Sequence, residues 1–534
     1  MRESPKAHYK ATVQARSPLP TATSQPASAS PALRRYLFLT AAVCGAVVMV
    51  LEILGAKILT PYFGSSHFVW TAQIAVTLAS LASGYALGGW WVDRSPSLNR
   101  IFTAVLTAAL YIGLSLPFID AISLACLRYP LPVGSLLAAL ALFFIPLALL
   151  AMVGPFLARV LLLWGGPAGS SIGRLSALST LGSLIGTVLI GYILLPLAAN
   201  STTLAGAAAF LGMLCLIYFS VWGRAHATAA MLAFLTLLAT SGAGMRIDHI
   251  RQFGDLKILA RRNSNFGNMH VVETPGGIRY YLNDLLTQNS YAPEIKDSVS
   301  LFTYMLRGLA HAYTPSLKKV LCIGMGIGVV PMKLAEDGAQ VEVVEINPDV
   351  VPLAKEFFDF KPDRVQLHIA DGRQFLNQST QHYDAIVLDA FLGDSSPSHL
   401  LTREAFTSIR RSLSDSGVLV INAFGSSEPD KDFMLASTEK TLRAVFQDVR
   451  LHASGNGNVF LVASPSPLKA HRPPGFDAMP NRIQAEARRA WEGLLQTNPA
   501  HGLVLTDDFN PVEFHDAKNR EELRRMLAST LRHR

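Results

Sequence analysis

The sequence predicts two fold classes joined in one chain. A multi-span α-helical membrane domain comes first, and a doubly wound, Rossmann-like α/β domain follows, entered through a small N-terminal β-hairpin subdomain. Three observations predict this. Residues 36–245 are almost free of charge, and the 534-residue chain carries only 16% Asp, Glu, Lys and Arg, against about 25% in a typical soluble protein. Beyond residue 300, short apolar strands alternate with helical stretches, the pattern of a parallel sheet wrapped by helices. Within that alternation the strand "KVLCI" (319–323) runs straight into Gly324, Gly326 and Gly328.

The elements follow in order. Residues 1–35 are rich in Ser, Pro and Ala with scattered Lys and Arg, and read as a disordered basic tail. Seven apolar runs come next, near 36–60, 68–92, 101–123, 134–155, 175–199, 203–222 and 227–244. Each approaches the roughly 20 residues that a bilayer core requires. The first run is too long for the apolar core of a signal peptide, and further runs follow it. Arg34 and Arg35 precede the first run, Arg94 and Arg100 follow the second, Arg159 and Arg174 the fourth, and Arg224 the sixth. The loops between carry only Arg128. The excess of basic residues on one side places the N-terminus in the cytoplasm. Seven crossings would then put the C-terminal half outside, whereas Arg246, Arg251, Arg261 and Arg262 favour the inside. The conflict resolves if the 227–244 run does not cross, if one run is not a span, or if the C-terminal half is external. The expected localisation is a multi-pass protein of the cell (inner) membrane, with its C-terminal half on the cytoplasmic side.

Glu52 lies inside the first run, with Lys57 five residues on. An ionisable group in a span is costly and hints at function. Pairing of Glu52 with Lys57 or the backbone, with Lys57 snorkelling outward, accounts for it equally well. Gly182 and Gly186 have the spacing of closely packed helices. The four cysteines, Cys44, Cys126, Cys215 and Cys322, show no CxxC spacing and read as buried thiols, not as a zinc site or disulfide framework. The net charge of +8 raises nucleic-acid binding. Topology already accounts for many of the basic residues, so the lipid bilayer is an expected partner and nucleic acid is not.

In the second half, "NMHVVET" and "IRYYLN" flank Pro275-Gly276-Gly277, a hairpin turn within a β subdomain over 246–300. The stretch "VSLFTYMLRGLAHAY" has helical apolar spacing. Strands follow at 319–323, 341–345, 365–369, 384–389 and 417–424, with helices between them at, for example, 348–358 and 402–413. Ligands of open α/β sheets bind at the carboxyl ends of the strands. Four successive ends present chemistry: the glycine loop; Glu345, able to accept both hydroxyls of a ribose; Asp371 with Gly372, placed to meet an adenine edge; and Asp389. The ordered set predicts an adenosine-containing ligand over 301–534. Glycines without Cβ atoms allow close backbone approach to it. A dinucleotide fingerprint wants Gly or Ala where Val329 stands, so the G-x-G-x-G spacing favours a binder of the S-adenosylmethionine class.

With these residues in place, the chain resembles the spermidine synthase (polyamine aminopropyltransferase) family, in the membrane-fused form in which a multi-span region precedes the synthase-like domain. The resemblance covers about 255–465. It rests on "KKVLCIGMGIGVVPMKLA", "VEVVEINPDVVPLAKEFF", "LHIADGRQFL" and "YDAIVLDAF", and the late "LTDDFNPVE" (505–513) resembles a feature of the fused form. The resemblance implies a transferase. Glu345 would bind the ribose of decarboxylated S-adenosylmethionine, Asp371 and Gly372 its adenine end, and Pro397 would lie near the nucleoside. Asp389 would accept the proton, and Asp394 and Gln288 would contact the diamine. The nucleoside sulfonium is a co-substrate; no permanently bound cofactor and no metal are implied. A homodimer remains an open option. The chemistry is coherent. A diamine must attack as a neutral amine although its pKa lies near about 10.4, and a carboxylate at the attack point can take the proton.

The departures bear on the reaction. Ile327 stands where the family places an Asp that faces the aminopropyl amine, and Met325 replaces a glycine. The family's hairpin glutamine falls near Gly267, so that contact is expected to be missing. A methyltransferase using ordinary S-adenosylmethionine, or a polyamine transporter or sensor without turnover, are the alternatives. Asp507 and Asp508 read equally as a site or as loop capping.

Overall fold

The computed structural model describes residues 30–522 apart from 65, 166, 251–254, 392–396, 429, 430, 454–456 and 518. The basic tail expected at 1–35 lies almost wholly outside the described residues, as do residues 523–534.

Seven helical rods occupy the seven apolar runs: Pro31–Phe63, His67–Arg94, Leu98–Cys126, Leu131–Leu163, Ala168–Leu197, Asn200–Val221 and Ala227–Ile250. By length and composition five of them can cross a membrane, which narrows the expected seven. Ala227–Ala243 is a shorter apolar stretch. His67–Arg94 is diluted by Ser, Gly, Gln and Thr and falls outside the set of five. Two rods contain a widened π turn, at Leu140–Phe144 and at Ile190–Leu194, just before Pro146 and Pro196. Proline removes a helical N–H and crowds the preceding turn, and the wider turn relieves that crowding. The packing expected at Gly182 and Gly186 is present. A Cβ there would come within 1.9 Å of the Ala42 carbonyl oxygen and 2.4 Å of the Ala46 carbonyl oxygen, so the backbones of two rods touch. Leu78, Leu181, Leu184, Ile185, Tyr192 and Leu232 point outward from the bundle. Lys57 does not pair with Glu52. Its Nζ donates to the Asn265 carbonyl at 3.0 Å, tying the first rod to the second half of the chain.

The second half begins with an antiparallel sheet of five strands in sequence order: β1 (Lys257–Ser264), β2 (Gly267–Glu273), β3 (Arg279–Asn283), β4 (Leu286–Ala292) and β5 (Asp297–Ser298). The expected hairpin is β2–β3, with Glu273 opposite Arg279. An eight-stranded sheet follows: β6 (Lys319–Ile323), β7 (Gln340–Glu345), β8 (Gln366–Ile369), β9 (Tyr383–Leu388), β10 (Leu413–Phe424), β11 (Asp448–Ala453), β12 (Asn458–Ser464) and β13 (Leu494–Leu495). Its order is β13-β11-β12-β10-β9-β6-β7-β8. The five strands β10, β9, β6, β7 and β8 are mutually parallel as expected. The sheet as a whole is mixed, because β12, β11 and β13 add an antiparallel edge. Strand residues alternate between two cores. Val320, Cys322, Val343 and Val387 pack against the helices Leu301–Tyr313 and Val329–Glu336. Leu321, Ile323, Val344 and Leu388 pack against Gly372–Gln378 and Arg403–Arg411 on the other face. Such two-sided burial makes the central strands nearly continuous in apolar residues, with Glu342 interrupting β7.

Candidate active site

The strand order puts β6 between β9 and β7, so the ends of all three meet at one place. After Ile323 the chain turns through Gly324, Gly326 and Gly328 at φ +87°, +53° and +87°, and Gly328 caps the helix Val329–Glu336. These left-handed angles are open to glycine at little cost. The space left by the missing Cβ atoms is used largely by the protein itself. A Cβ would fall 2.2 Å from the Asp389 carbonyl oxygen at 324, 2.3 Å from Asn289 Oδ1 at 326 and 2.3 Å from the Phe360 ring at 328. Gly324 and Gly326 still border the cavity; Gly328 does not.

Glu345 ends β7 and is 8% exposed. Its Oε2 accepts from the Met325 N–H at 2.9 Å, and its Oε1 accepts from the Asn347 N–H at 2.8 Å. Burial raises its carboxyl above the usual range, against the pull of those backbone donors. The glycine loop and Glu345 therefore hold each other in place.

Asp371 follows β8. Its Oδ1 accepts from the Gln374 N–H at 2.9 Å and caps the next helix. Its Oδ2 accepts from His399 Nε2 at 3.0 Å. Burial pushes this carboxyl up, but the Gln374 and His399 bonds outweigh burial and hold it below the usual range. Each Asp371 oxygen is thus already engaged within the chain. At neighbouring Gly372 a Cβ would meet Ile323 Cγ2 at 2.5 Å.

Asp389 follows β9, and its N–H donates to the Ile323 carbonyl at 2.9 Å. Its Oδ1 accepts from Asn422 Nδ2 at 2.9 Å, and Asn422 Oδ1 accepts from Asn458 Nδ2 at 3.0 Å. Burial lifts the Asp389 carboxyl to about 6, opposed by the Asn422 bond and reinforced by the negative charge of Glu345. A carboxyl shifted by burial and a neighbouring charge at the edge of a cavity is a candidate functional group.

These groups border one cavity of about 470 Å³ between the β subdomain and the strand ends, within the usual size of small-molecule sites. Gln288, Pro397, Asp371 and Gly372 border it as well. Asp394 lies outside the described residues. Ile327 is 1% exposed and packs in the core with Met325, so the departure from the family loop is filled by apolar packing. Lining residues that went unrecognised in the sequence include His399, Asn422, Asn458 and Glu486. Asn422 did carry a signal, as a polar residue inside the apolar strand "GVLVINAF". His399 and Glu486 carried none, since loop and helix residues reach the site only through the fold.

Fold and site together define an α/β domain whose cavity is bordered by carboxylates at successive strand ends. Residues 300–454 match the family model described as the spermine/spermidine synthase domain. A polyamine aminopropyltransferase from Vibrio vulnificus (strain CMCP6) is 38% identical over 140 residues, covering 25% of this chain and 47% of that protein. An N-terminal histidine N-methyltransferase from Emericella nidulans is 32% identical over 178 residues, covering 30% of this chain and 31% of its own length. The chain therefore spans less than half the length of these curated relatives. The crystal structure of a probable spermidine synthase from Corynebacterium glutamicum ATCC 13032 superposes with a TM-score of 0.36 at 18% identity, over 43% of this chain and 87% of that one.

Proposed function

We propose that this chain is a membrane-anchored polyamine aminopropyltransferase, moving the aminopropyl group of decarboxylated S-adenosylmethionine to a diamine such as putrescine. The observation that carries the reading is Asp389. It is a carboxylate raised to about 6, fixed by Asn422, bordering the same cavity as a buried Glu345. Glu345 takes the ribose, Asp371 and Gly372 the adenine end, and Pro397 the nucleoside's outer side. Gln288 and Asp394 serve the acceptor. The neutral amine attacks the carbon next to the sulfonium. A C–N bond forms, the C–S bond breaks, and its electron pair leaves with sulfur as methylthioadenosine. The proton shed by the new ammonium passes to Asp389. Positioning of the amine in line with the C–S bond supplies much of the rate, and proton transfer typically adds about 10²- to 10⁴-fold.

The helical half, taken as residues 36–245, is the membrane domain in this reading. Its outward Leu, Ile, Phe and Tyr side chains support it, because large contiguous apolar surfaces on soluble proteins are rare. The β subdomain 246–300 and the domain 301–534 stand on the cytoplasmic side, where the donor would be made.

A second reading is a methyltransferase on ordinary S-adenosylmethionine. Ile327, in place of the family's Asp, favours it, and so does the similarity to a histidine N-methyltransferase. Calorimetry with both donors separates the two. Tighter binding of the decarboxylated donor is expected; a preference for ordinary S-adenosylmethionine would select the methyltransferase.

A further inference from the structure

The "LTDDFNPVE" segment (505–513) takes no part in the cavity, yet the fold places it directly behind one of the cavity's walls. Residues 397–404 supply Pro397, His399 and Leu400 to that wall. The Leu505 carbonyl accepts from the Arg403 N–H at 2.8 Å, and Asn510 Nδ2 donates to the Ser398 carbonyl at 2.8 Å. The Asp507 N–H donates to Glu404 Oε2 at 3.0 Å. The Asp507 carboxylate is the hub. Its Oδ1 accepts from Arg373 Nη1 and from Thr402 Oγ1, each at 2.7 Å, and its Oδ2 pairs with Arg373 Nη2. Arg373 Nη1 also reaches the His399 carbonyl at 3.3 Å. Arg373 lies beside Gly372, and His399 bonds Asp371, so the hub is one residue removed from the adenine end of the pocket.

The far end of the same segment leaves the α/β domain. Glu513 Oε2 lies 3.6 Å from His67 Nδ1, and the Phe514 ring lies 6.0 Å from that of Phe68. Both partners are in the first turn of the rod His67–Arg94. Ala517 packs against the core of the helical half. One short stretch therefore touches both the helical bundle and the back of the nucleoside wall.

We propose that residues 505–517 form a strap, anchored on the helical half, that fixes the wall 397–404, with Asp507 as a positioning residue for the nucleoside donor. This rests on the donor-pocket reading given above. Asp507 touches no reacting atom and acts through Arg373 and the wall. A lone exposed ion pair would contribute little. A two-pronged Arg–carboxylate contact with a third donor forms a network with directional bonds, and fixing a wall before binding removes part of its ordering cost.

Full-length protein is tested by calorimetry with methylthioadenosine, by separate KM values for donor and acceptor, and by hydrogen exchange over 397–404. Asp507→Asn is expected to weaken methylthioadenosine binding and raise the donor KM by about three- to tenfold, to leave the acceptor KM in place, and to speed exchange in the wall. Asp507→Glu keeps the charge and recovers part of the loss. The pair Glu513→Ala with Phe514→Ala cuts the anchor and gives a weaker form of the same donor-selective change. Unaltered binding and exchange in Asp507→Asn overturn the positioning role. An unaltered anchor variant overturns the link to the helical half. Equal rises in both KM values with a lower melting temperature mean general destabilisation, and also overturn the proposal. If the wild-type protein itself fails to bind methylthioadenosine, the donor-pocket reading fails and the strap falls with it; if only the variants behave as wild type, the strap alone fails.

Discussion

At Asp389 burial and a nearby negative charge outweigh one amide hydrogen bond, and the balance sets a titration that reaches both activity and stability. With the carboxyl near 6, the form proposed as proton acceptor is present above that pH and lost below it, so the proposed reaction should slow on an acid limb centred near pH 6. Asp389→Asn should remove the limb and lower the rate by about 10²- to 10⁴-fold. The folded value lies above the ordinary Asp value of about 3.9. The folded state therefore holds an extra proton between about pH 4 and 6, and stability is lost as pH rises through that window. Asp389→Asn should accordingly melt no lower than wild type at pH 8. A limb at the same pH in the variant would assign it to another group. Glu345, Asp371 and Asp389 were legible in the sequence because each lies at or just past the end of a strand in the strand–helix alternation. The partner of Asp389 was harder to see: Asn422 looks like an interruption of β10 until β9 is placed beside it.

Among the elements, the glycine loop has the least freedom. Gly324 combines φ +87° with an Asp389 carbonyl 2.2 Å from any added Cβ. Neither the backbone angle nor the neighbour can give cheaply, since the neighbour is main chain. Gly324→Ala should cost at least about 2 kcal/mol from strain and overlap, read as a lower melting temperature together with lost nucleoside binding. A variant that melts and binds like wild type would show that the turn relaxes. Strands β6, β7 and β9 could be read almost to the residue, because burial on both faces makes their centres mostly apolar. The antiparallel edge was missed: β12 pairs with β10 and carries β11 on its other side, and apolar patterning carries no direction.

At the level of the whole molecule, the division into an apolar helical half and an α/β half was plain from charge distribution alone. The joint between them was not. Lys57 reads as a snorkelling side chain in the sequence, and its actual partner is a carbonyl 208 positions away. The late "LTDDFNPVE" segment likewise gains meaning only when Asp507 meets Arg373 across 134 positions. Contacts of such range are invisible to local pattern, yet they join the helical half to the α/β half. One chain, helical half included, is expected to turn over a sulfonium nucleoside. The most direct measurement is mass spectrometry of the products formed by the purified full-length protein from decarboxylated S-adenosylmethionine and a panel of diamines. Methylthioadenosine and an aminopropylated amine in equal amounts are the expected result. Methylated product from ordinary S-adenosylmethionine, with no methylthioadenosine from any diamine, would contradict it.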